Sequence, residues 1–314
     1  MCASIQPGSE TAAALIGVDW GTSQLRALRI GAAGEALECR ESSLGIAALP
    51  RGDFDQALRS LIGDWQPEAE RVPILMCGMI GSRQGWREAP YRPCPARLSD
   101  LIPGLQRVET SCGPALIVGG LSCVDARGHA DIMRGEEIQI LGAVRSQSRC
   151  RVIAPGTHSK WALVEGARIE SFRTYMTGEM YGLLCKHSSL GWLMADVEKS
   201  DPDDEAFLAG VRRALQDEQL LHALFSVRTS GLFGRQPPGA LAAYLSGLLI
   251  GSEIAGAAAT GAAGSTLVVA SPALGRLYGM ALAAAGVADV AQVDAREAVS
   301  RGLLQLWRRC ASEA

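Results

Sequence analysis

The chain has 314 residues, 48% of them hydrophobic and 20% charged, with a formal net charge of −3. This is ordinary globular composition, long enough for one domain or two, and it gives no electrostatic basis for nucleic acid or an anionic membrane as partner. Nine cysteines without a Cys-x-x-Cys pair, and four histidines without ligand spacing, exclude a disulfide scaffold and a structural zinc, and point to reduced thiols in a cytoplasmic protein.

In chain order, residues 1–13 lack the basic and apolar regions of a signal peptide and are expected as a loose tail. Strands are predicted at Leu15 to Trp20, Leu25 to Ile30 and Glu35 to Arg40. A helix over 53–65 follows, with Asp53 as N-cap and Phe54, Leu58, Leu61 and Ile62 on one face. Val72 to Cys77 reads as a short buried strand. The stretch from Gly78 to Glu109, holding Pro90, Pro93, Pro95 and Pro103, reads as irregular, and a segment of that length is more often functional than passive. Ala115 to Gly119 returns as a strand.

The second half repeats the outline. A helix is predicted at Glu136 to Ser146, then strands at Val152 to Pro155, Trp161 to Val164 and Arg168 to Phe172. Helices follow at Gly178 to His187, Pro202 to Gln219 and Ala240 to Thr260. In the last of these, Gly247 and Gly251 are expected to pack helix on helix, and Glu253 has no assigned role. Ile254 to Gly264 is alanine-rich but broken by glycines and a threonine, so it suits buried helix and loop rather than a membrane span. Thr266 to Ala270, Pro272 to Ala285, Asp289 to Val293 and Ala295 to Cys310 complete the chain as strand, helix, strand and helix. Strand triplets followed by helix–strand alternation, twice over, predict an α/β fold of two related lobes.

Two turns carry the chemistry. Asp19-Trp20-Gly21-Thr22-Ser23 joins the first two strands with an acid, a glycine and two hydroxyls. Backbone N–H groups and hydroxyls in such a turn suit a phosphate, and Asp19 suits Mg²⁺, directly or through its waters. The missing Gly-Lys-Ser/Thr ending excludes a Walker-A loop. Mid-chain, Gly156-Thr157 is a second strand–turn–strand loop of the same kind.

With both turns in view the chain resembles the sugar-kinase, actin and Hsp70 superfamily, and within it the 2-dehydro-3-deoxygalactonokinase family. The resemblance rests on Gly17 to Ser23, Cys77 to Trp86, Arg134-Gly135-Glu136-Glu137, Ala154 to Trp161, Met176 to Glu179 and Gly247 to Glu253, in the expected order. It implies an actin-like (ribonuclease H-like) fold with an ATP cleft between two lobes. The N-terminal lobe is expected over 14–128, completed by a C-terminal helix at 295–314, and the C-terminal lobe over 129–294.

The implied activity is ATP- and Mg²⁺-dependent phosphorylation of 2-dehydro-3-deoxy-D-galactonate at O6. Gly21, Thr22, Ser23, Gly156 and Thr157 would hold the ATP phosphates. Asp19 would be catalytic as the metal-facing acid, and Ser271 and Leu274 would line the adenosine pocket. Glu136 opens a helix where relatives of the glycerol-kinase type place an aspartate base, so it is expected as the catalytic base, with Asp131 and Glu137 as the other acids that suit the role. Ser82, Arg83, Gln84, Trp86 and Tyr91 would form the substrate site, Arg83 forking onto the sugar acid's carboxylate and the aromatic pair excluding water. Thr177 is expected to cap its helix, with Glu179 either facing the cleft or steadying the first turn. A homodimer is a further expectation. The competing readings are a kinase of another sugar acid or polyol in the same fold, and a non-catalytic nucleotide sensor, which needs neither the Arg83 loop nor the Arg134 to Glu137 motif.

Overall fold

The computed structural model describes residues 12–49, 53–65, 72–144, 149–194, 203–216, 219–258 and 264–313. The expected tail over 1–13 lies almost wholly outside them, as do Ser146, Pro202 and Thr260 at the ends of predicted helices. The chain divides into two units: 1–148 with 164–172 and 293–314, and 149–163 with 173–292.

The first unit is built from β1 (Leu15–Trp20), β2 (Leu25–Ile30), β3 (Ala36–Ser42), α1 (Phe54–Ile62), β4 (Ile74–Gly78), β5 (Tyr91–Pro93), β6 (Gln106–Thr110), β7 (Gly113–Ile117), β8 (Gly120–Val124), β9 (Ala130–Met133) and α2 (Glu136–Ala143). Six of the strands form a sheet in the order β3-β2-β1-β4-β7-β6. β1 and β2 pair antiparallel from Leu15 opposite Ile30 to Trp20 opposite Leu25, whereas β1 and β4 run parallel with Asp19 opposite Cys77. Leu15, Ile16, Val18 and Trp20 are all buried, as a central strand covered on both faces requires. On one face Val18, Trp20, Ile74 and Met76 pack with Phe54, Leu58 and Ile62 of α1. Asp53 stands at the N-cap of α1 as expected, without a side-chain capping hydrogen bond.

The second unit takes β10 (Cys150–Ala154), most of β11 (Ser159–Glu165) and the end of β12 (Arg168–Tyr175), then α3 (Thr177–His187), α4 (Asp204–Gln216), α5 (Leu220–Leu232), α6 (Pro238–Ala258), β13 (Ser265–Ala270), α7 (Pro272–Ala284) and β14 (Val290–Asp294). Its sheet runs β12-β11-β10-β13-β14, with β10 and β13 parallel. That order matches β3-β2-β1-β4-β7 of the first unit, so the expected duplication is present in the topology. In each unit the Gly-Thr turn joins the first strand to the second.

α6 is long and apolar enough to cross a membrane by length and composition, yet two-thirds of its most apolar window is buried inside the protein. Its close partner is α4: a Cβ added at Gly247 would strike the Phe207 carbonyl, and one at Gly251 would lie 2.8 Å from Cβ of Ala214. These glycines therefore let two helix backbones approach, as expected. α5 leaves Leu221, Phe225 and Leu232 exposed.

The last helix, α8 (Ala295–Glu313), belongs to the first unit. A Cβ on Gly142 of α2 would collide with the Ala298 carbonyl, and one on Gly302 with that of Ile138. This backbone-to-backbone packing, together with the β8–β9 hairpin, assigns 129–148 to the first unit. The division lies at 148 and 149 rather than at the expected 128 and 129, and the Arg134 to Glu137 motif shares a unit with the first Gly-Thr turn.

Candidate active site

Backbone contact brings three parts of the first unit to one point. β1 ends at Asp19 and Trp20 beside Cys77 and Gly78 of β4. Gly78 has φ +90°, and an added Cβ would lie 2.7 Å from the Trp20 carbonyl and 3.3 Å from Oδ1 of Asp19. Gly135, at φ +107°, caps α2, and its Cβ would lie 3.1 Å from Cα of Gly78. Both positions need glycine, for positive φ and for close approach. The start of α2 is thereby set beside the phosphate turn's acid.

The acids there differ in environment. Asp19 is 18% exposed, and burial lifts its pKa above the ordinary aspartate value, against the pull of Arg26 at 3.6 Å. A carboxylate so little compensated, at a strand end, suits a hydrated divalent cation with a hard preference for oxygen. Glu137 is 0% exposed, and both its oxygens accept the Gly135 N–H, at 2.9 and 2.8 Å. Burial first, and then the charge of Glu136, push its pKa up to about 8. Glu137 is therefore protonated at neutral pH and already engaged. Glu136, half-buried, accepts the Arg134 N–H at 3.1 Å. Cys77 feels Asp19, Glu137 and Glu136 together, and its thiol is held well above its ordinary range, chiefly by burial. Asp131 lies on β9 opposite Cys123, whose thiol pKa its charge raises, and accepts the N–H of Ile132 at 2.8 Å.

At the first turn, Gly21 N–H donates to the Gln24 carbonyl at 2.8 Å, and the Gly21 and Thr22 carbonyls accept from Ile46 and Ala47. Thr22 and Ser23 are exposed on this braced turn. A Cβ on Gly21 would meet nothing nearer than 3.6 Å, so close packing does not demand glycine there.

The loop after β4 separates its predicted residues. Arg83 is 86% exposed and pairs with Glu88, Nε to Oε1 at 3.1 Å, and Gln84 is exposed beside it. Ser82 is buried, with no partner found for its Oγ among the described residues. Trp86 packs on the core and stacks on Phe54, centroids 6.1 Å apart. Tyr91 lies under the guanidinium of Arg134, 4.2 Å from its ring centroid. Arg134 is buried and donates from Nη2 to the Ala89 carbonyl at 2.9 Å, so it fixes the far end of the same loop.

In the second unit, Gly156 and Thr157 are exposed, with open space around Gly156 where a Cβ would point. α3 starts against this turn: the Thr157 carbonyl accepts from Glu179 N–H at 3.0 Å, and a Cβ on Gly178 would strike the Gly156 carbonyl. Glu179 also meets His158, Oε2 to Nε2, at 2.5 Å. Thr177 does not cap α3. Its hydroxyl donates instead to Glu253, which corrects the expected cap. Ser271 is exposed at the start of α7, and Leu274 packs on the unit's core.

Sequence reasoning did not single out Gly78, Arg134 or the partners of Glu253. Gly78 was visible as a Cys-Gly strand ending, but the approach of Gly135 to it depends on where α2 packs.

The fold, and the convergence of Asp19 with a helix-opening acid pair, define a two-unit α/β protein of the actin-like ATPase and sugar-kinase class. The activator of 2-hydroxyisocaproyl-CoA dehydratase from Clostridium difficile, solved with bound ADPNP, shares this fold at TM-score 0.52 and 11% identity, over 95% of this chain and 96% of that one. The chain belongs to the 2-keto-3-deoxy-galactonokinase family, whose model matches residues 19–306. A probable 2-dehydro-3-deoxygalactonokinase of Rhizobium meliloti (strain 1021) is 38% identical over 297 residues, covering 93% of this chain and 96% of its own. The 2-dehydro-3-deoxygalactonokinase of Escherichia coli (strain K12) is 38% identical over 241 residues, covering 76% and 79%. A crystal structure assigned to the same activity, from Sinorhizobium meliloti, superposes at TM-score 0.84 with 38% identity, over 94% of this chain and 98% of that one.

Proposed function

We infer that this protein is a cytoplasmic kinase that transfers the γ-phosphoryl group of ATP to O6 of 2-dehydro-3-deoxy-D-galactonate. The observation that carries the reading is the contact of Asp19, Gly78 and Gly135, which sets a phosphate-turn acid beside the start of α2 in one unit. Gly21, Thr22 and Ser23, and Gly156 and Thr157, are the phosphate-binding turns; Thr22, Ser23 and Thr157 present their hydroxyls from exposed positions, on a first turn braced by the Gly21 N–H on the Gln24 carbonyl. Ser271 and Leu274, at the start of α7, face the adenosine. Asp19 would hold Mg²⁺, which when bound would supply positive charge against the polyphosphate of the leaving group.

Glu136 is the base. Of the neighbouring acids, Glu137 is protonated below about pH 8 and closed off from solvent. Asp131 stands on the small sheet beside Cys123. As the sugar acid's terminal hydroxyl attacks phosphorus, its proton passes to a Glu136 carboxylate oxygen. The Arg134 N–H fixes the orientation of that carboxylate. Arg83, paired to a solvent-exposed glutamate, exchanges Glu88 for the substrate carboxylate, since an exposed pair of this kind is worth little. Gln84 is exposed beside it, while Ser82 and Trp86 support the receiving loop from the buried side and Tyr91 is held at its far end by Arg134.

The test is ADP release measured across a panel of keto-deoxy sugar acids, with Glu136→Gln alongside. Turnover on the galactonate-derived acid, falling ~10²–10⁴-fold in Glu136→Gln while both substrates still bind, is expected. Proton loss late in a loose transition state favours the lower end of that range. ADP release indifferent to every sugar acid would overturn the reading.

A further inference from the structure

We propose that Glu253 is a positioning residue for nucleotide binding, holding the second phosphate turn and α7 in their working arrangement. It stands on an otherwise apolar helix and is 3% exposed. Oε1 accepts from Ser159 Oγ at 2.7 Å and from Trp161 Nε1 at 2.6 Å. Oε2 accepts from Tyr278 Oη at 2.7 Å and from the Thr177 hydroxyl. The Tyr278 phenol, its pKa lifted well above its ordinary value by burial and then by Glu253, stays a donor at any working pH.

The donors are placed where nucleotide contacts are expected. Ser159 lies two residues past Thr157. Thr177 immediately precedes Gly178, whose backbone packs on Gly156, and Glu179 N–H holds the Thr157 carbonyl. Tyr278 sits two turns into α7, the helix that Ser271 begins. One carboxylate therefore ties the strand leaving the phosphate turn, the helix bracing it and the helix of the adenosine side. Packing alone does not call for an acid here: burying a carboxylate is costly, and an apolar residue would fill the space. A fully satisfied buried network fixes one arrangement of the segments it joins. Nucleotide affinity is the property that such fixing serves, because a preformed turn needs no ordering when phosphate arrives.

This inference rests on Gly156 and Thr157 being a phosphate turn, so the experiment separates the two. ATP affinity without sugar acid is measured by calorimetry on the full-length protein, together with KM for the sugar acid at saturating ATP and the thermal midpoint. Thr157→Ala tests the turn. Glu253→Gln, and the milder Tyr278→Phe and Thr177→Val, test the network. Glu253→Gln should weaken ATP about 10-fold, the scale of a lost hydrogen bond to a charged group, with KM for the sugar acid within about twofold. Each single-donor variant should weaken ATP in the same sense but less, and these decide the matter if Glu253→Gln fails to fold. If Thr157→Ala weakens ATP while the network variants lower only the thermal midpoint, Glu253 is a packing element and the inference falls, with the turn still standing. If Thr157→Ala leaves ATP affinity intact, the phosphate-turn reading itself falls and takes the inference with it.

Discussion

Replacing Glu137 by glutamine should alter how stability depends on pH far more than it alters turnover. In the unfolded chain this carboxyl titrates near its ordinary 4.5, and in the folded protein near about 8. Between those values the folded state keeps a proton that the unfolded state gives up. Rising pH therefore favours unfolding through that window, and the loss is complete above about pH 8. At about 1.4 kcal/mol per pH unit, the gap bounds the effect at about 5 kcal/mol, of which about 4 falls between pH 5 and pH 9. Glutamine keeps the volume and an oxygen for the Gly135 N–H, but it does not titrate. Urea unfolding at pH 5, 7 and 9 should give a variant that matches the natural protein at pH 5 and exceeds it by up to about 4 kcal/mol at pH 9. Asp19 titrates in both proteins, and the difference reports Glu137 together with its coupling to Glu136 and Cys77. A stability difference that stays constant from pH 5 to pH 9 would refute the reasoning, because Glu137 would then titrate alike in both states.

Asp19→Asn should keep the fold and cut kcat by at least ~10²-fold, the scale of losing one preorganised charge. Near-normal turnover at saturating Mg²⁺ would remove Asp19 from the metal site. Gly135→Ala, forced into positive φ against Gly78, should cost about 1–3 kcal/mol in urea unfolding. It should also lower kcat by displacing Glu136, and an unchanged kcat would separate the helix start from the chemistry. Arg83→Lys should raise KM for the sugar acid by the equivalent of roughly 1–3 kcal/mol, a point charge replacing a fork, and leave KM for ATP alone. An equal rise in both constants would move Arg83 out of the substrate site.

The strands carrying the phosphate turns were legible because their patterns are local. Leu15–Trp20 and Leu25–Ile30 are apolar runs broken by a Gly-Thr-Ser turn, and the structure gives those same bounds. Between Gly78 and Gln106 the short β5 and two 3-10 turns escaped, since prolines break any periodicity and β5 is only three residues long. α5 escaped for another reason. In its sequence, Leu220 to Leu232, the stripe of His222, Ser226 and Thr229 is only mildly polar and Arg228 lies off it, while the structure leaves Leu221 and Phe225 in solvent. At the site, residue types pointed to Asp19 and Glu136 with Glu137 as an alternative, and the difference in burial between the two glutamates depends on one position around a helix, which the sequence does not show. Thr177 shows the same limit: a helix-opening threonine reads as a cap until its buried partner, Glu253, comes from a helix far along the chain.

The packing of α8 onto the first unit bears on the order in which the two units can be completed during synthesis. Leu303 lies against Gly17 of β1, and Arg296 reaches Glu41 next to the second strand, so one face of the first sheet is covered by a helix that follows the whole second unit in the chain. At ordinary elongation rates the wait between β1 and α8 is on the order of ten to fifty seconds. Throughout that interval the strand bearing Asp19 has no lid on that side, and by its end every element of the second unit has been synthesised. The second unit can thus complete its core first, whereas the first unit must wait for α8. The nascent chain is then most exposed to misassembly on the apolar face around Gly17, where chaperone binding should concentrate.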